Sequence, residues 1–157
     1  MPDPQEETMT RLGLFGLLPF AAGAAGAWLS PWLLPGGLSY DLGEITLIYS
    51  AAAASYIVGV GAGSALSKTG LSLDHIRAGM IAALVAWIAA WPPGALFIRL
   101  PDTARYAIVV GVFVYLLLRD RRAVAAGALP NWYGALRTRL TFWTCLFLAA
   151  IISRLMV

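Results

Sequence analysis

The sequence is poor in charged residues. Only 12% of its 157 residues are Asp, Glu, Lys or Arg, whereas 60% are hydrophobic. Soluble domains are roughly a quarter charged, so this chain lacks the side chains that would cover a soluble core. The net charge of +3 does not indicate a nucleic-acid partner, because the basic residues follow apolar stretches and form no stripe with aromatics. The composition therefore excludes a soluble domain.

Cysteine and histidine are nearly absent. A single cysteine, Cys145, excludes an intrachain disulfide and a cysteine-built metal site. The single histidine, His75, stands beside Asp74, and these two alone make neither a metal site nor a catalytic pair. We expect His75 in a surface loop. The sequence predicts no enzyme activity, no catalytic residue, no metal and no cofactor.

Ionisable residues are missing from five stretches, which are Leu12–Tyr40, Ile45–Ser67, Ala78–Ile98, Tyr106–Leu118 and Leu140–Ser153. A bilayer core requires about 20 apolar helical residues. The pattern predicts an all-α, polytopic transmembrane bundle of five helices in a single domain, residues 12–157, after a short acidic N-terminus, residues 1–11. The predicted spans are about 12–34, 45–67, 76–98, 102–118 and 140–157.

Prolines and glycines predict where these helices bend or end. Pro19 lies inside the first stretch and predicts a kink, and that helix should end near Pro31 or Pro35. Glu44 is expected in the first turn of the second helix, at the positive end of its dipole. Pro92 and the proline after it should kink or end the third helix, with residues 94–100 in the interface. The fourth span is short and includes Asp102 and Arg105 at its outer end.

The basic residues predict the orientation. Eight lie on one side of the predicted spans: Arg11, Lys68, Arg77, Arg119, Arg121, Arg122, Arg137 and Arg139. Three lie on the other: Arg99, Arg105 and Arg154. The positive-inside bias then places the N-terminus in the cytoplasm and the C-terminus in the periplasm. One lysine against ten arginines, with many alanines, suggests a bacterium with a GC-rich genome. We expect the bacterial inner (plasma) membrane.

The second helix has a face of small residues. Ala51, Ser55, Gly59 and Gly63 recur every four positions, and small residues at this spacing allow two helices to approach closely in lipid. A phosphate-binding loop is the alternative. It fails because Ser64 stands where a third glycine is needed and no strand precedes the motif. We predict a helix-packing face.

The predicted inner loop between the last two spans is the only sizeable polar region. Its arginines and aromatics could contact anionic membrane lipids or a partner subunit. The alternative is ordinary topological anchoring by the same residues. The candidate contact residues are Arg119, Arg121, Arg122, Trp132, Tyr133, Arg137 and Arg139.

The lack of ionisable groups in the five stretches argues against proton- or ion-coupled transport. The leading hypothesis is a non-catalytic accessory or assembly subunit of a larger membrane complex, respiratory or photosynthetic, with other integral membrane proteins as partners. A small transporter or channel for a neutral solute is the first alternative. A membrane enzyme acting on lipid or quinone is the second.

Three blocks of the chain, Leu12–Phe20, Tyr49–Gly63 and Trp132–Thr141, resemble the transmembrane protein 69 family, also known as domain of unknown function 3429. That family occurs in proteobacteria and, through its animal members, in mitochondria. The second block departs from the family pattern, since Val58 replaces a glycine and Ala62 a tryptophan. The resemblance implies a small integral inner-membrane protein and no particular reaction.

Overall fold

The structure is a computed structural model that describes residues 4–30, 32–67, 73–94 and 99–157, and all regular structure in these ranges is helical. The helices are α1 Pro4–Phe15, α2 Leu18–Leu29, α3 Gly36–Ser67, α4 Leu73–Ala89, α5 Asp102–Ala125 and α6 Asn131–Leu155. α1 and α2 follow one another across a two-residue turn and form one interrupted rod. The described chain therefore has five rods, which is the predicted number.

Pro19 explains the interruption. Proline lacks the backbone N–H and its ring collides with the carbonyl four residues earlier, so it is accommodated in the first turn of a helix. Pro19 occupies that position in α2, directly after the N-cap region at Leu17. After α1, the Leu17 N–H donates to the Leu14 carbonyl over 3.1 Å, so this hydrogen bond spans three residues instead of the four of an α-helix. The predicted kink is a complete break in the helix.

Three helices extend beyond the apolar stretches that predicted them. α3 begins at Gly36, so Glu44 lies two turns inside the helix, and its predicted place in the first turn is wrong. α5 continues to Ala125 and α6 begins at Asn131. Hydropathy shows only where apolar residues stop, whereas a helical backbone continues through charged residues, and arginine is a good helix former.

α4 ends at Ala89, just before Pro92 and the proline after it, which agrees with the expected stop. His75 lies in the first turn of α4 and is half-buried, so its predicted place in a surface loop is wrong. α2 ends at Leu29, close to the end predicted near Pro31 or Pro35. Two predicted features fall outside the described residues: the inner-loop Lys68, and residues 95–98 of the interfacial segment predicted at 94–100.

Rods that follow one another in the chain pack side by side in opposite directions. α2 approaches α3 so closely that a Cβ on Gly23 would overlap the Thr46 hydroxyl. α2 also packs on α6, where the Trp28 indole N–H donates to the Ala150 carbonyl over 2.9 Å. The core between the rods is mainly apolar, with Leu47, Val109 and Leu116 at most 1% exposed.

A tight turn joins α5 to α6. Gly127 adopts a positive φ of 73°, the conformation that commonly ends a helix because glycine has no Cβ to clash. The Ala128 N–H bonds to the Ala123 carbonyl and the Gly127 N–H to the Val124 carbonyl, both over 2.9 Å. These two bonds form a Schellman motif. Pro130 then precedes α6, so the two helices form an antiparallel hairpin.

Three helical stretches are long and apolar enough to cross a membrane: Gln5–Leu29, Gly36–Gly63 and Asn131–Leu155. Large apolar side chains also face outward, among them Trp32 and Leu33, which are 89% and 75% exposed. Soluble monomers rarely expose continuous apolar surface of this kind. Span length, composition and surface are those of a membrane protein.

Candidate functional site

Two clusters of buried ion pairs lie toward opposite ends of the bundle. The first, the Arg105 cluster, consists of Glu44 from α3 with Asp102 and Arg105 from α5. The Arg105 side chain is 1% exposed, and its guanidinium makes a two-point contact with the Glu44 carboxylate over 2.5 and 2.9 Å. A further bond of 2.9 Å reaches Asp102. Two-point geometry is the strong form of the arginine–carboxylate pair.

Arg105 also donates hydrogen bonds to backbone carbonyls at the end of α4. Its Nε donates to the Ala89 carbonyl over 3.0 Å and its Nη2 to the Ala90 carbonyl over 3.3 Å. Carbonyls in the last turn of a helix have no partner within that helix. One guanidinium therefore joins α3, α4 and α5 at this end of the bundle, which we call the Arg105 end.

The second cluster, the Asp120 cluster, consists of Arg119 and Asp120 from α5 with Arg137 from α6. Asp120 accepts from Arg119 over 3.0 Å and from Arg137 over 3.0 Å, one arginine on each carboxylate oxygen. The three side chains are 7%, 2% and 7% exposed. Gly79 and Gly61 make room for Arg119, because a Cβ on either would meet its guanidinium.

The Asp120 cluster has an excess positive charge, since it contains two guanidinium groups and one carboxylate. Burial lowers the pKa of His75 nearby, and the Arg119 charge acts in the same direction. His75 lies just outside the predicted third span, residues 76–98. Its lowered pKa favours the neutral imidazole. Among the described residues, Nη2 of Arg137 has no hydrogen-bond partner. The buried Thr141 hydroxyl, one turn later on α6, also has no partner among the described residues. This end of the bundle, the Asp120 end, therefore has one uncompensated positive charge in its cluster and two buried polar groups without a described partner.

The clusters are separate sites. Arg105 and Arg119 are fourteen residues apart on α5, which corresponds to about 21 Å along the helix. The hydroxyls of Thr46, Ser50 and Ser55 each donate to the carbonyl four residues earlier in their own helix. These hydroxyls are therefore committed to local bonds and do not link the two clusters.

The chain matches the family described as Protein of unknown function (DUF3429) over residues 5–153. It belongs to that family. Comparisons with curated proteins and with solved structures gave no match. The description of the DUF3429 family assigns no activity, so the function of this member is argued from its own geometry.

In this DUF3429 protein, the seven residues predicted to contact lipid or a partner divide into two groups. Arg119, Tyr133 and Arg137 are buried, at 7%, 7% and 6% exposed, and this placement differs from the predicted exposure. The physical reason is that Asp120 pairs with both arginines: Arg137 reaches it across the α5–α6 hairpin, and Arg119 lies against Gly61 of α3 and Gly79 of α4. The side chains left at the surface are Arg121, Arg122 and Arg139, with Trp132 half-buried.

The predicted packing face of α3 is also divided. Ala51 is buried at 6% exposed, whereas Ser55, Gly59 and Gly63 are exposed. Among the described residues, no atom lies within 4 Å of a Cβ built on Gly59 or Gly63. Only the Ala51 end of this face packs within the chain, and the rest is open.

Sequence reasoning missed both clusters as sites. Glu44, Asp102 and Arg105 lay at or beyond the ends of apolar stretches and were assigned to interface positions. A signal existed for the Asp120 cluster, however. Asp120 lies seven residues before Gly127, and Arg137 lies seven residues after Pro130, so a hairpin turning between them brings the two side chains together.

Proposed function

We propose that this protein is a non-catalytic accessory or assembly subunit that docks against a transmembrane helix of another integral membrane protein. The observation that carries the proposal is an open apolar groove between α3 and α4. It has a volume of about 680 Å³, and its lining includes Ser55 and Gly59 of α3, Ala83 and Trp87 of α4, and Ala90 directly after α4.

The chemistry of the groove favours a helix as its occupant. Small residues allow helix backbones to approach within van der Waals contact, which is the main attractive interaction between helices in lipid. The Ser55 hydroxyl already donates to the Ala51 carbonyl over 2.9 Å, so the groove floor offers close packing rather than a directed polar contact. A neutral solute requires polar partners for specificity, and this lining supplies few.

The ion pairs support a structural role over a catalytic or transport role. Proton relays and catalytic acids need a carboxyl group that changes its protonation state during the reaction. Asp120 and Glu44 both accept hydrogen bonds from arginines within the clusters, so their carboxylate oxygens are committed to contacts between helices. A neutral-solute transporter and a lipid or quinone enzyme remain the alternatives, and each requires a polar path or reactive group that the described clusters do not offer.

We further propose a bacterial inner-membrane location with the Asp120 end in the cytoplasm. Exposed Arg121, Arg122 and Arg139 lie at that end and suit the anionic lipids of a cytoplasmic leaflet. Single cysteines at Asn131 and Pro101, in a Cys145→Ser background, test this orientation. A membrane-impermeant maleimide added to intact spheroplasts should label the cysteine at 101 and leave that at 131 unlabelled. The reverse pattern would contradict the proposal.

Docking is tested by filling the groove. Gly59→Leu places a branched side chain on its floor, and we expect loss of the larger complex on native gels of mildly solubilised membranes. Gly111→Leu is the matched control, because Gly111 is also an exposed helical glycine with no atom within 4 Å of a built Cβ. A protein that migrates as the free chain before any substitution, or a complex that survives Gly59→Leu, rejects the proposal.

Photo-crosslinking locates the partner. A photoreactive residue at position 59 should form an adduct with one integral membrane protein, and the same residue at Leu146, exposed on α6, should not. Equal adducts from both positions would show that the α3–α4 groove is not a preferred docking surface.

A further inference from the structure

A second cavity lies on another side of the bundle, between α1, α3 and α6. It has a volume of about 390 Å³ and is separate from the α3–α4 groove. Its lining extends from Tyr49 to Val60 on α3 and from Tyr133 to Thr144 on α6, a length of about 16 Å along each helix. The dimensions match an elongated small molecule, since ligand pockets commonly measure about 300–1,000 Å³.

The break between α1 and α2 shapes this cavity. α1 packs on α6 so closely that a Cβ on Gly13 would lie 2.6 Å from Leu140. At the break, the Tyr49 hydroxyl donates to the Gly16 carbonyl over 2.9 Å and joins α3 to the turn. α1 is therefore held against α6 and, at the turn, against α3, and the space between these contacts is the cavity.

The cavity is amphipathic along its length. Phe20 and Phe113 line its inner part, near the middle of the bundle, where they meet edge to face at 5.8 Å. Arg137 and Tyr133 line the part nearest the Asp120 end. One end can therefore hold an apolar tail and the other a polar head.

Among the described residues that line the cavity, Arg137 is charged and none is a carboxylate. Arg137 is 6% exposed, and its Nη2 has no hydrogen-bond partner among the described residues. The single carboxylate of the Asp120 cluster is shared with Arg119. A buried cation and an unmade hydrogen bond both cost free energy in an apolar environment, and an anion that accepts from Nη2 would relieve both.

We propose that this cavity binds an anionic, single-tailed amphiphile, with its carboxylate or phosphate on the Arg137 guanidinium and its tail toward Phe20 and Phe113. The length of the cavity limits the length of the tail, and the Arg137 guanidinium favours a negatively charged head group. This site is independent of the docking groove, so either proposal can fail without the other.

The test compares three probes that share one tail. Dodecanoate, dodecyl phosphate and dodecanol are titrated into the full chain in a zwitterionic detergent, and binding is followed by native mass spectrometry. We expect both anions to bind at least about 10-fold more tightly than the alcohol, the factor that corresponds to one good charge-assisted hydrogen bond. If only the phosphate gains, the ligand is a lysophospholipid type; if only the carboxylate gains, it is a fatty-acid type; if both gain, the site accepts either anionic head group. Equal binding of all three probes overturns the proposal.

Two variants locate the binding. Arg137→Gln should abolish the preference for anions, whereas Arg139→Gln, an exposed arginine two residues later on the same helix, should leave it within about 2-fold. If Arg139→Gln weakens binding as much, the anions bind to the general basic surface and the proposal is wrong.

Ala53→Phe provides a test that does not touch the ion pairs. Ala53 lines the cavity, and a phenyl ring there should reduce the affinity for all three probes. Ala149→Phe, on the exposed face of α6, is its control and should have no effect. Unchanged binding in Ala53→Phe would show that the tail lies elsewhere.

Discussion

Replacing Arg105 with methionine removes the cation that three helices share. Glu44 and Asp102 lose their counter-ion, and the Ala89 and Ala90 carbonyls lose their donor. Removing one partner of a buried ion pair costs about 3–5 kcal/mol, and each unsatisfied carbonyl adds on the order of 1 kcal/mol. Methionine keeps most of the side-chain volume and returns about 1–2 kcal/mol through burial. Because Glu44 and Asp102 are 18% and 37% exposed and can be hydrated, we expect the lower part of this range, a net loss of about 3 kcal/mol in the free energy of unfolding.

The assay is reversible unfolding in mixed micelles, followed by tryptophan fluorescence. Arg154→Met is the control, since Arg154 is only partly buried and makes a single 3.3 Å bond to the Ser30 carbonyl; its loss should be at most about 1 kcal/mol. Adding Glu44→Gln to Arg105→Met removes the uncompensated carboxylate and should restore about 2 kcal/mol. A loss in Arg105→Met no larger than that in Arg154→Met would refute this account of the Arg105 cluster.

Two further substitutions test the Asp120 cluster by the same unfolding measurement. Gly79→Ala places a methyl group against the Arg119 guanidinium and should destabilise the protein by about 1–3 kcal/mol. Gly111→Ala is its control: the added methyl meets no described atom within 4 Å, and the substitution should stabilise the helix by about 0.5–1 kcal/mol. Asp120→Asn leaves two buried arginines without a carboxylate and should cost about 3–5 kcal/mol. Asp74→Asn is the control and should change stability by less than about 0.5 kcal/mol, because that side chain is 88% exposed. Equal effects of Asp120→Asn and Asp74→Asn would contradict the buried role of Asp120.

Much of the architecture could be predicted because lipid imposes simple rules on sequence. Five apolar stretches predicted five rods, since every backbone group in a bilayer must be satisfied within a helix. Pro19 and Pro92 predicted a disruption and a stop, and both are local steric effects that need no tertiary information. The resemblance to domain of unknown function 3429 is likewise confirmed over residues 5–153.

The ion-pair clusters depend on contacts that hydropathy cannot register. A charged residue at the end of an apolar stretch is normally predicted to lie at the membrane–water interface. Arg119 and Arg137 are buried instead, because both pair with Asp120. Glu44 meets Arg105 across 61 positions of sequence, and no local pattern predicts that pairing. Such contacts become visible only when the directions and lengths of the helices are known.

In the predicted five-span topology, the short ion-free part of α5 determines the order in which the helices insert into a membrane. Residues 106–118 span about 20 Å, which is shorter than a bilayer core of about 30 Å. At one end of this stretch Arg105 pairs with Glu44 on α3, and at the other end Asp120 pairs with Arg137 on α6. We expect α5 to insert poorly by itself and stably only after α3 is in place, with α6 following as the other half of a hairpin. Translocon insertion of α5 in truncated chains with and without α3 would measure this order of assembly.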